Sequence, residues 1–308
     1  VERFDVLIVG GGPAGLAAGL VLGRCRRRVL LCDAGKPRNA PSRAMHGYLT
    51  RDGLPPSELR RIGREEVRRY GVELRDLEVV DARRVPGGGF EADLADGATI
   101  AARKLILATG MKDVLPEIAG FREFYGRGVY PCPYCDGWEM QDQPIGVFAC
   151  GDQDKACRYA LMMLRWSRDI VFFHHDNGAP PTGTTRELFS KHGITMCQRP
   201  IARLEGDDGR LARVVLEGGQ VVPRRALFIK IGERPHSKLP ERLGCDTTEE
   251  GVVGEARFHG ATDVDGLYVV GDASPRVQLV SVAAAEGAAA AVNLNMAMQM
   301  EDLGVECK

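Results

Sequence analysis

The chain has 308 residues, 44% of them hydrophobic and 27% charged, with a formal net charge of −1; that is ordinary globular composition, enough for one large or two medium domains. The near balance of charge excludes a global electrostatic pull toward nucleic acid or an anionic membrane, and no apolar run reaches the length that spans a bilayer. Nine cysteines, odd in number and scattered, fit a reducing, cytoplasmic setting better than a secreted disulfide framework, and no signal peptide is expected at an amino terminus that passes at once into a strand.

Phe4 to Val9 is a short apolar, β-branched run, read as a buried parallel strand. It runs into Gly10-Gly11-Gly12-Pro13-Ala14-Gly15 and then into the helical stretch Leu16 to Arg24. Gly10, Gly12 and Gly15 satisfy G-x-G-x-x-G in the context that gives it meaning: the first allows the tight turn, the second lets the backbone approach a pyrophosphate, and the third lets helix pack on strand. The N-terminus of that helix faces the phosphates. A second strand, Arg28 to Cys32, ends in Asp33, 18 residues past Gly15 and where an acid meets a ribose hydroxyl. Strand, glycines, helix, strand and acid in register predict a dinucleotide site.

Arg38 to Pro56 is polar, rich in Pro and Gly, and read as an irregular loop; it holds His46, for which a surface or hydrogen-bonding role outweighs an acid–base one. Ser57 to Tyr70 reads as a helix with Ser57 as its cap. The arginines concentrated between Arg24 and Arg84, with Glu65 and Glu66 beside them, are read as a solvated helix face. Val72 to Ile100 reads as a strand meander turning at Gly87-Gly88-Gly89 and Asp96-Gly97, and Lys104 to Leu107 as a buried strand that ends in Ala108-Thr109-Gly110.

Tyr130-Pro131-Cys132-Pro133-Tyr134-Cys135-Asp136-Gly137-Trp138-Glu139 follows. Two thiols at CxxC spacing close a small ring that thiol exchange opens and re-forms, and a CxxC turn lowers one thiol's pKa so that it acts as thiolate. Asp136 stands where an acid gives or takes the proton as Cys135 leaves or attacks. A structural zinc site needs four ligands; the chain has no second CxxC and no His pair at ligand spacing, so no metal is expected and the redox reading leads over zinc and over inert core thiols.

A second mononucleotide-like unit comes next: strand Pro144 to Phe148, turn Ala149 to Asp154, helix Lys155 to Trp166, strand Asp169 to Phe173. Its first glycine position is Ala149 and its third is Asp154, an acid that crowds the helix–strand contact and repels a pyrophosphate. The second strand ends in His174-His175-Asp176-Asn177 rather than in the arginines that match a 2′-phosphate. The expectation is a retained fold with an altered pocket, which leaves NAD(P)H use in doubt. Ala226 to Ile231 is the exit strand, Gly266 to Gly271 a further strand ending in Asp272, and Arg276-Val277-Gln278 precedes a small-residue helix, Ser281 to Met298, whose N-terminus suits the electron-rich edge of a flavin. The tail from Glu301 is expected to be loose, and Cys307 is given no role.

In this order, G-x-G-x-x-G, Ala-Thr-Gly, CxxC-Asp-Gly, a second dinucleotide unit and Gly-Leu-Tyr-x-x-Gly-Asp, the chain resembles the low-molecular-weight thioredoxin reductase family over nearly its whole length. The resemblance implies an α/β fold of two Rossmann-like (three-layer ββα) dinucleotide-binding domains. The FAD-binding domain is then discontinuous, 1–112 and 240–308, and the NAD(P)H-like domain, 113–239, carries the redox CxxC. It implies a homodimer and FAD held at Gly10, Gly12, Pro13, Ala14, Gly15, Asp33, Ala108, Thr109, Gly110, Gly271, Asp272 and Gln278. It carries the catalytic roles onto Cys132, Cys135 and Asp136, with Cys135 nearest the flavin and Cys132 meeting the partner sulfur. The implied partner is a thiol or disulfide, on a thioredoxin-like protein or a small dithiol. Two departures stand out. The nicotinamide glycines and the His-Arg-Arg-x-x-x-Arg cluster are missing. The Pro-Tyr between the cysteines and the Gly-Trp-Glu after them look like a sister branch of dithiol oxidases, which close a small dithiol and pass electrons through FAD to oxygen, although those often carry His where this chain has Asp136. Ferredoxin-dependent reductases of the family also lack the nucleotide motifs. A non-enzymatic flavin redox-sensing module is the remaining alternative, disfavoured by the intact CxxC-Asp.

Overall fold

The computed structural model describes residues 1–149, 153–174, 183–248, 258–274 and 277–305. These fall into two compact units, one of Val1–Ala40, Gly47–Lys112 and Arg234–Lys308 and the other of Pro41–His46 and Asp113–Glu233.

The first unit is built on one sheet. Its strands run in the order Glu73–Arg75, Val29–Cys32, Glu2–Val9, Thr99–Leu107, Phe90–Leu94 and Val79–Arg84. The first four are parallel to one another and the last two form an antiparallel meander. Thr99–Leu107 changes partner along its length: residues 99–102 pair with the meander, while Leu105–Leu107 pair in parallel with Leu267–Val269. The apolar run Val6–Val9 that ends the strand Glu2–Val9 has no polar face because both faces are covered. Val6 and Ile8, with Val29, Leu31 and Ile106, pack against helices Pro13–Arg24 and Val280–Asp302. Leu7 and Val9, with Leu30, Leu105 and Leu107, pack against Phe90, Ala92 and Leu94 of the meander. Helix, parallel sheet and meander are therefore three layers. Leu7, Ile8, Leu30 and Leu31 are fully buried, each contributing about 1.5–3 kcal/mol by leaving water.

The last helix approaches the first at bare backbone. A Cβ added at Gly287 would lie 1.9 Å from the carbonyl oxygen of Ala14, so only glycine admits this packing. The helix runs to Asp302, beyond the expected Met298. Residues expected to be loose are pinned instead: Lys104 Nζ lies 2.5 Å from Glu301, and Arg27 Nη1 2.6 Å from Asp302. Cys307 lies outside the described residues.

The second unit holds a parallel sheet in the order Thr195–Cys197, Ile170–His174, Ile145–Ala149, Ala226–Lys230, Val129–Tyr130. An antiparallel sheet of Ile201–Asp207, Arg210–Leu216 and Val221–Pro223 packs through Leu204, Leu211 and Val214 onto Phe148, Phe173 and Ile229. Helices Gln153–Met162 and Gly183–His192 belong to this unit. The second of these is absent from the sequence reading, because Gly183-Thr184-Thr185 reads as turn chemistry and only Phe189 is buried along it.

Three expected boundaries move. The chain rejoins the first unit at Arg234, not at 240, and His236 N–H already donates to Gly110 O at 3.0 Å. Pro41–His46 belongs to the second unit, held where Gly126 packs against Pro41 and Arg43 donates to Asp208 O. Helix Pro56–Arg69 takes Pro55, not Ser57, as its cap residue, since proline fits the first helical turn without losing a needed donor.

Candidate active site and cofactor cradle

In the first unit, the strand Glu2–Val9 ends in the glycine turn. Gly10 has φ +110°, and a Cβ on it would lie 2.3 Å from Ala108 O. Gly15 is closed in by Gly10 O, 1.9 Å from a Cβ there, and Gly11 by the Asp33 carboxylate. Gly12 differs: a Cβ there would meet no protein atom within 4 Å. The turn is thus packed hard on the protein side and left open at the one glycine that caps helix Pro13–Arg24. Backbone N–H groups and the helix dipole favour an anion at such an opening, and the first turn of this helix carries no acidic residue.

Beside it, the strand Thr99–Leu107 delivers Ala108, Thr109 and Gly110. Thr109 Oγ1 is buried and has no hydrogen-bond partner among the described residues, a state that costs about 1–3 kcal/mol unless a ligand satisfies it. Asp33 is buried. Its Oδ1 accepts from Gly35 N–H at 3.1 Å, and its Oδ2 is 2.6 Å from Arg60 Nη2, with Arg64 at 3.6 Å. Asp272 and Gln278 share one cation: Arg38 Nη1 is 3.3 Å from Asp272 Oδ2 and 2.6 Å from Gln278 Oε1. Gly271, at φ +74°, donates through its N–H to Glu286 at 2.8 Å, which ties the turn after Leu267–Val269 to the last helix. Open space at a helix N-terminus, a buried hydroxyl lacking a partner and a buried acid are together what a dinucleotide needs. Arg38, Arg60 and Glu286 are missing from the sequence reading, because each reaches its partner across a long sequence separation.

In the second unit, the edge strand Val129–Tyr130 leads into the redox turn. Cys132 and Cys135 are joined in a disulfide, Cα to Cα 5.3 Å. Proline fixes the first residue of the one-turn helix Pro133–Asp136, and Cys132 caps it: Cys135 N–H donates to Cys132 Sγ at 3.1 Å. That donor favours negative charge on Cys132 once the bond opens. Gly137 must be glycine, since a Cβ would come within 2.8 Å of the Trp166 indole and 2.4 Å of Pro133 O. Trp166 also meets the Tyr134 ring edge-on at 5.6 Å.

Asp136 is half-buried, and burial pushes its carboxyl up from 3.8 to about 7, with the nearby Glu139 raising it further and His46 opposing. An acid poised near neutrality suits proton exchange with a thiol. The same shift makes Asp136 a burden on the fold. The unfolded carboxyl ionises above about pH 4 while the folded one resists until about 7, so the cost grows across that window and is constant above it, at about 2–4 kcal/mol. Asp136→Asn is therefore expected to raise the melting temperature by several degrees at pH 8, with the gain shrinking toward pH 4.5. An equal gain at both pH values would show that ionisation of Asp136 is not the cause.

Ala149 is buried at the end of its strand. The turn residues Cys150, Gly151 and Asp152, with His175, Asp176, Asn177 and Arg276, lie outside the described residues. Among the described residues, no cluster of three or more His, Cys, Asp or Glu is placed to hold a metal, and no helix is long and apolar enough to cross a membrane.

The sequence model of the pyridine nucleotide-disulphide oxidoreductase family matches residues 4–287. A probable thioredoxin reductase of Arthroderma benhamiae is 32% identical over 306 residues, covering 89% of this chain and 74% of that protein. A thioredoxin reductase of Aspergillus oryzae is 30% identical, covering 94% of this chain and 95% of its own. Among solved structures, HlmI superposes with a TM-score of 0.91 at 39% identity, over 98% of this chain and 94% of its own. A putative thioredoxin reductase from Bacillus anthracis superposes with a TM-score of 0.89 at 32% identity, over 97% and 99%.

Proposed function

We propose that this chain, which belongs to the pyridine nucleotide-disulphide oxidoreductase family and is a thioredoxin reductase-like oxidoreductase, binds FAD and exchanges two electrons between it and an external thiol or disulfide through Cys132 and Cys135. The observation that carries this reading is the disulfide closed over a one-turn helix, with the elevated acid Asp136 directly after its second cysteine. FAD, when bound, supplies the two-electron donor and acceptor. The residues proposed to hold it are Gly10, Gly12, Pro13, Ala14 and Gly15 around the pyrophosphate, Asp33 at the ribose, Ala108, Thr109 and Gly110 beside the turn, and Gly271, Asp272 and Gln278 at the far loop. The open face of Gly12 and the Thr109 hydroxyl support this fit.

The chain's own residues run the exchange as follows. A substrate dithiol loses one proton to solvent, and its thiolate attacks Cys132. The Cys132–Cys135 bond breaks, and Cys135 leaves with the proton of Asp136. The second substrate thiol gives its proton to the Asp136 carboxylate and attacks the mixed disulfide. Cys132 is released as a thiolate, stabilised by the Cys135 N–H, and is protonated from solvent. Substrate dithiol and enzyme disulfide have become substrate disulfide and enzyme dithiol, and the reverse sequence reduces a disulfide on a thioredoxin-like protein.

NADPH is not assigned as the electron donor, given Ala149 and Asp154 in the second nucleotide turn. An anaerobic titration of the flavin-loaded protein, first with NADPH and NADH and then with dithiothreitol, tests the whole reading. The dithiol is expected to bleach the flavin, and the nicotinamides to do so weakly. A flavin untouched by dithiol overturns the proposed exchange, and submicromolar NADPH affinity overturns the reading of the turn. A second reading, a small-dithiol oxidase, is favoured by the Pro-Tyr and Gly-Trp-Glu that flank the cysteines; hydrogen peroxide formed from a dithiol in air distinguishes it from rapid reduction of thioredoxin.

A homodimer is also proposed. Helix Val280–Asp302 exposes Val292 and Met296 one turn apart, a face suited to a second copy. Sedimentation equilibrium checks this, and a monomer at micromolar concentration would refute it.

A further inference from the structure

The six residues Pro41–His46 belong to the second unit although their sequence neighbours on both sides belong to the first. The segment is fixed at three points. Gly126, at φ +75°, is packed so closely against Pro41 that a Cβ would lie 2.9 Å from its carbonyl carbon. Arg43 Nη2 donates to Asp208 O at 3.2 Å. At the end of the segment, His46 Nε2 lies 3.4 Å from Glu139 Oε1. The detour thus delivers one imidazole to one carboxylate.

Glu139 stands in the short helical turn Trp138–Met140 that directly continues Pro133–Asp136. It follows Asp136 by three residues, the spacing that brings two side chains to the same face of a helical course. Two acids so placed resist being ionised together, and an imidazole beside the second can take up the charge. We infer that Glu139 and His46 are positioning residues for Asp136, a carboxylate that favours a proton on that acid and an imidazole that moderates the effect, so that Asp136 gives its proton up and takes it back in each thiol exchange.

This inference rests on the exchange proposed for Cys132 and Cys135. The proton balance is that already written: when Cys135 leaves with the proton of Asp136, two neighbouring carboxylates are left, one of them with the His46 imidazole 3.4 Å away. The proton that restores Asp136 comes from the second substrate thiol, as in the exchange already written. Electrostatics in the site agree with these roles, since Glu139 raises the Asp136 carboxyl and His46 lowers it. The other titratable groups facing Asp136 are Tyr130, from the edge strand, and Tyr159, from helix Gln153–Met162, whose hydroxyl donates to Pro131 O at 3.4 Å. Burial pushes Tyr130 up to about 12 and Tyr159 higher still, so both remain neutral through the working range. Arg43 acts on Tyr130, not on Asp136.

The test is the pH dependence of disulfide opening in the full-length protein. Wild type and variants are mixed with dithiothreitol between pH 5 and 9, quenched with a maleimide, and the labelled Cys132 and Cys135 counted by mass spectrometry. The ionisation of dithiothreitol is common to all samples and is removed by dividing each rate, wild type included, by the reagent's thiolate fraction at that pH. Glu139→Gln is expected to move the midpoint of the remaining pH dependence down by about one pH unit, and His46→Gln to move it up, because one removes a negative and the other a positive neighbour. Glu139→Asp keeps the charge and is expected to hold the wild-type midpoint. Asp136→Asn should erase the dependence. Opposite shifts from the two variants cannot arise from general loosening of the fold. Unchanged midpoints, or shifts of the same sign, overturn the inference. Failure of the wild-type disulfide to open at all overturns the exchange reading instead, so the two failures are distinct.

Discussion

Replacing Cys132 or Cys135 by serine is expected to abolish reduction of the flavin by dithiothreitol, a loss of at least about a thousandfold, because a hydroxyl neither forms nor opens a bond to sulfur under these conditions. Among the described residues no second disulfide is present: Cys32, Cys157 and Cys245 are buried, Cys197 is half-buried and Cys25 is exposed. Loss of the ring should not unfold the protein. A loop this short restrains the unfolded chain by only about 2 kcal/mol, and Pro133 and Gly137 keep the turn in place by their own packing. The flavin content of both variants is therefore expected to equal that of wild type. Stopped-flow absorbance under argon makes the measurement, with Cys25→Ser as the control expected to react normally. The two variants should differ in one respect. Cys135→Ser leaves the thiol proposed to meet the partner and, supplied with a partner in its disulfide form, is expected to trap it as a stable mixed disulfide with release of the partner's other thiol, whereas Cys132→Ser does not. Appreciable turnover in either variant would remove the dithiol from the mechanism.

The second large effect separates two glycines of one motif. Gly12→Ala puts a methyl where the protein has nothing within 4 Å, at φ −80° and ψ −174°, a conformation open to alanine. The apoprotein should melt as wild type does. If a pyrophosphate occupies that gap, FAD affinity should fall by 10- to 100-fold, about 1.4–2.7 kcal/mol. Gly10→Ala meets Ala108 O at 2.3 Å and demands φ +110° of a residue with a side chain. It should lower the melting temperature of the apoprotein itself as well as flavin retention. Fluorescence titration of FAD with calorimetry of the apoproteins checks both. A Gly12→Ala protein that binds FAD as tightly as wild type would place the cofactor elsewhere.

These contrasts show what the sequence could convey. The glycine turn is legible because its constraints are local: a strand feeds it, a helix leaves it, and Gly10, Gly11 and Gly15 each answer to an atom a few residues away or on an adjacent strand. The CxxC-Asp turn is legible for the same reason. The partners of Asp33, Asp272 and Asp136 are not, since Arg60, Arg38 and His46 arrive from other parts of the chain with nothing in their own surroundings to mark them. Glu139 was in plain view beside the cysteines, but its use depends on a histidine that only the folded detour of Pro41–His46 supplies. Helix Gly183–His192 escaped because it buries little and opens on turn-forming residues, so neither periodicity nor capping announced it.

The seat of Gly287 on the backbone of Ala14 has a bearing on the order in which the chain is made. The first helix leaves the ribosome early, but its packing partner is the last helix, some 270 residues later, and the strand Leu267–Val269 that completes the sheet also comes late. Asp113–Glu233, nearly continuous in sequence, has all its strands in hand well before then and can consolidate as it emerges, since local contacts form first. The amino-terminal strands must wait, open on their helical face, until synthesis is almost complete. Cofactor capture is then a closing event of biogenesis, and nascent chains arrested before residue 280 should show a protease-resistant middle and a sensitive beginning.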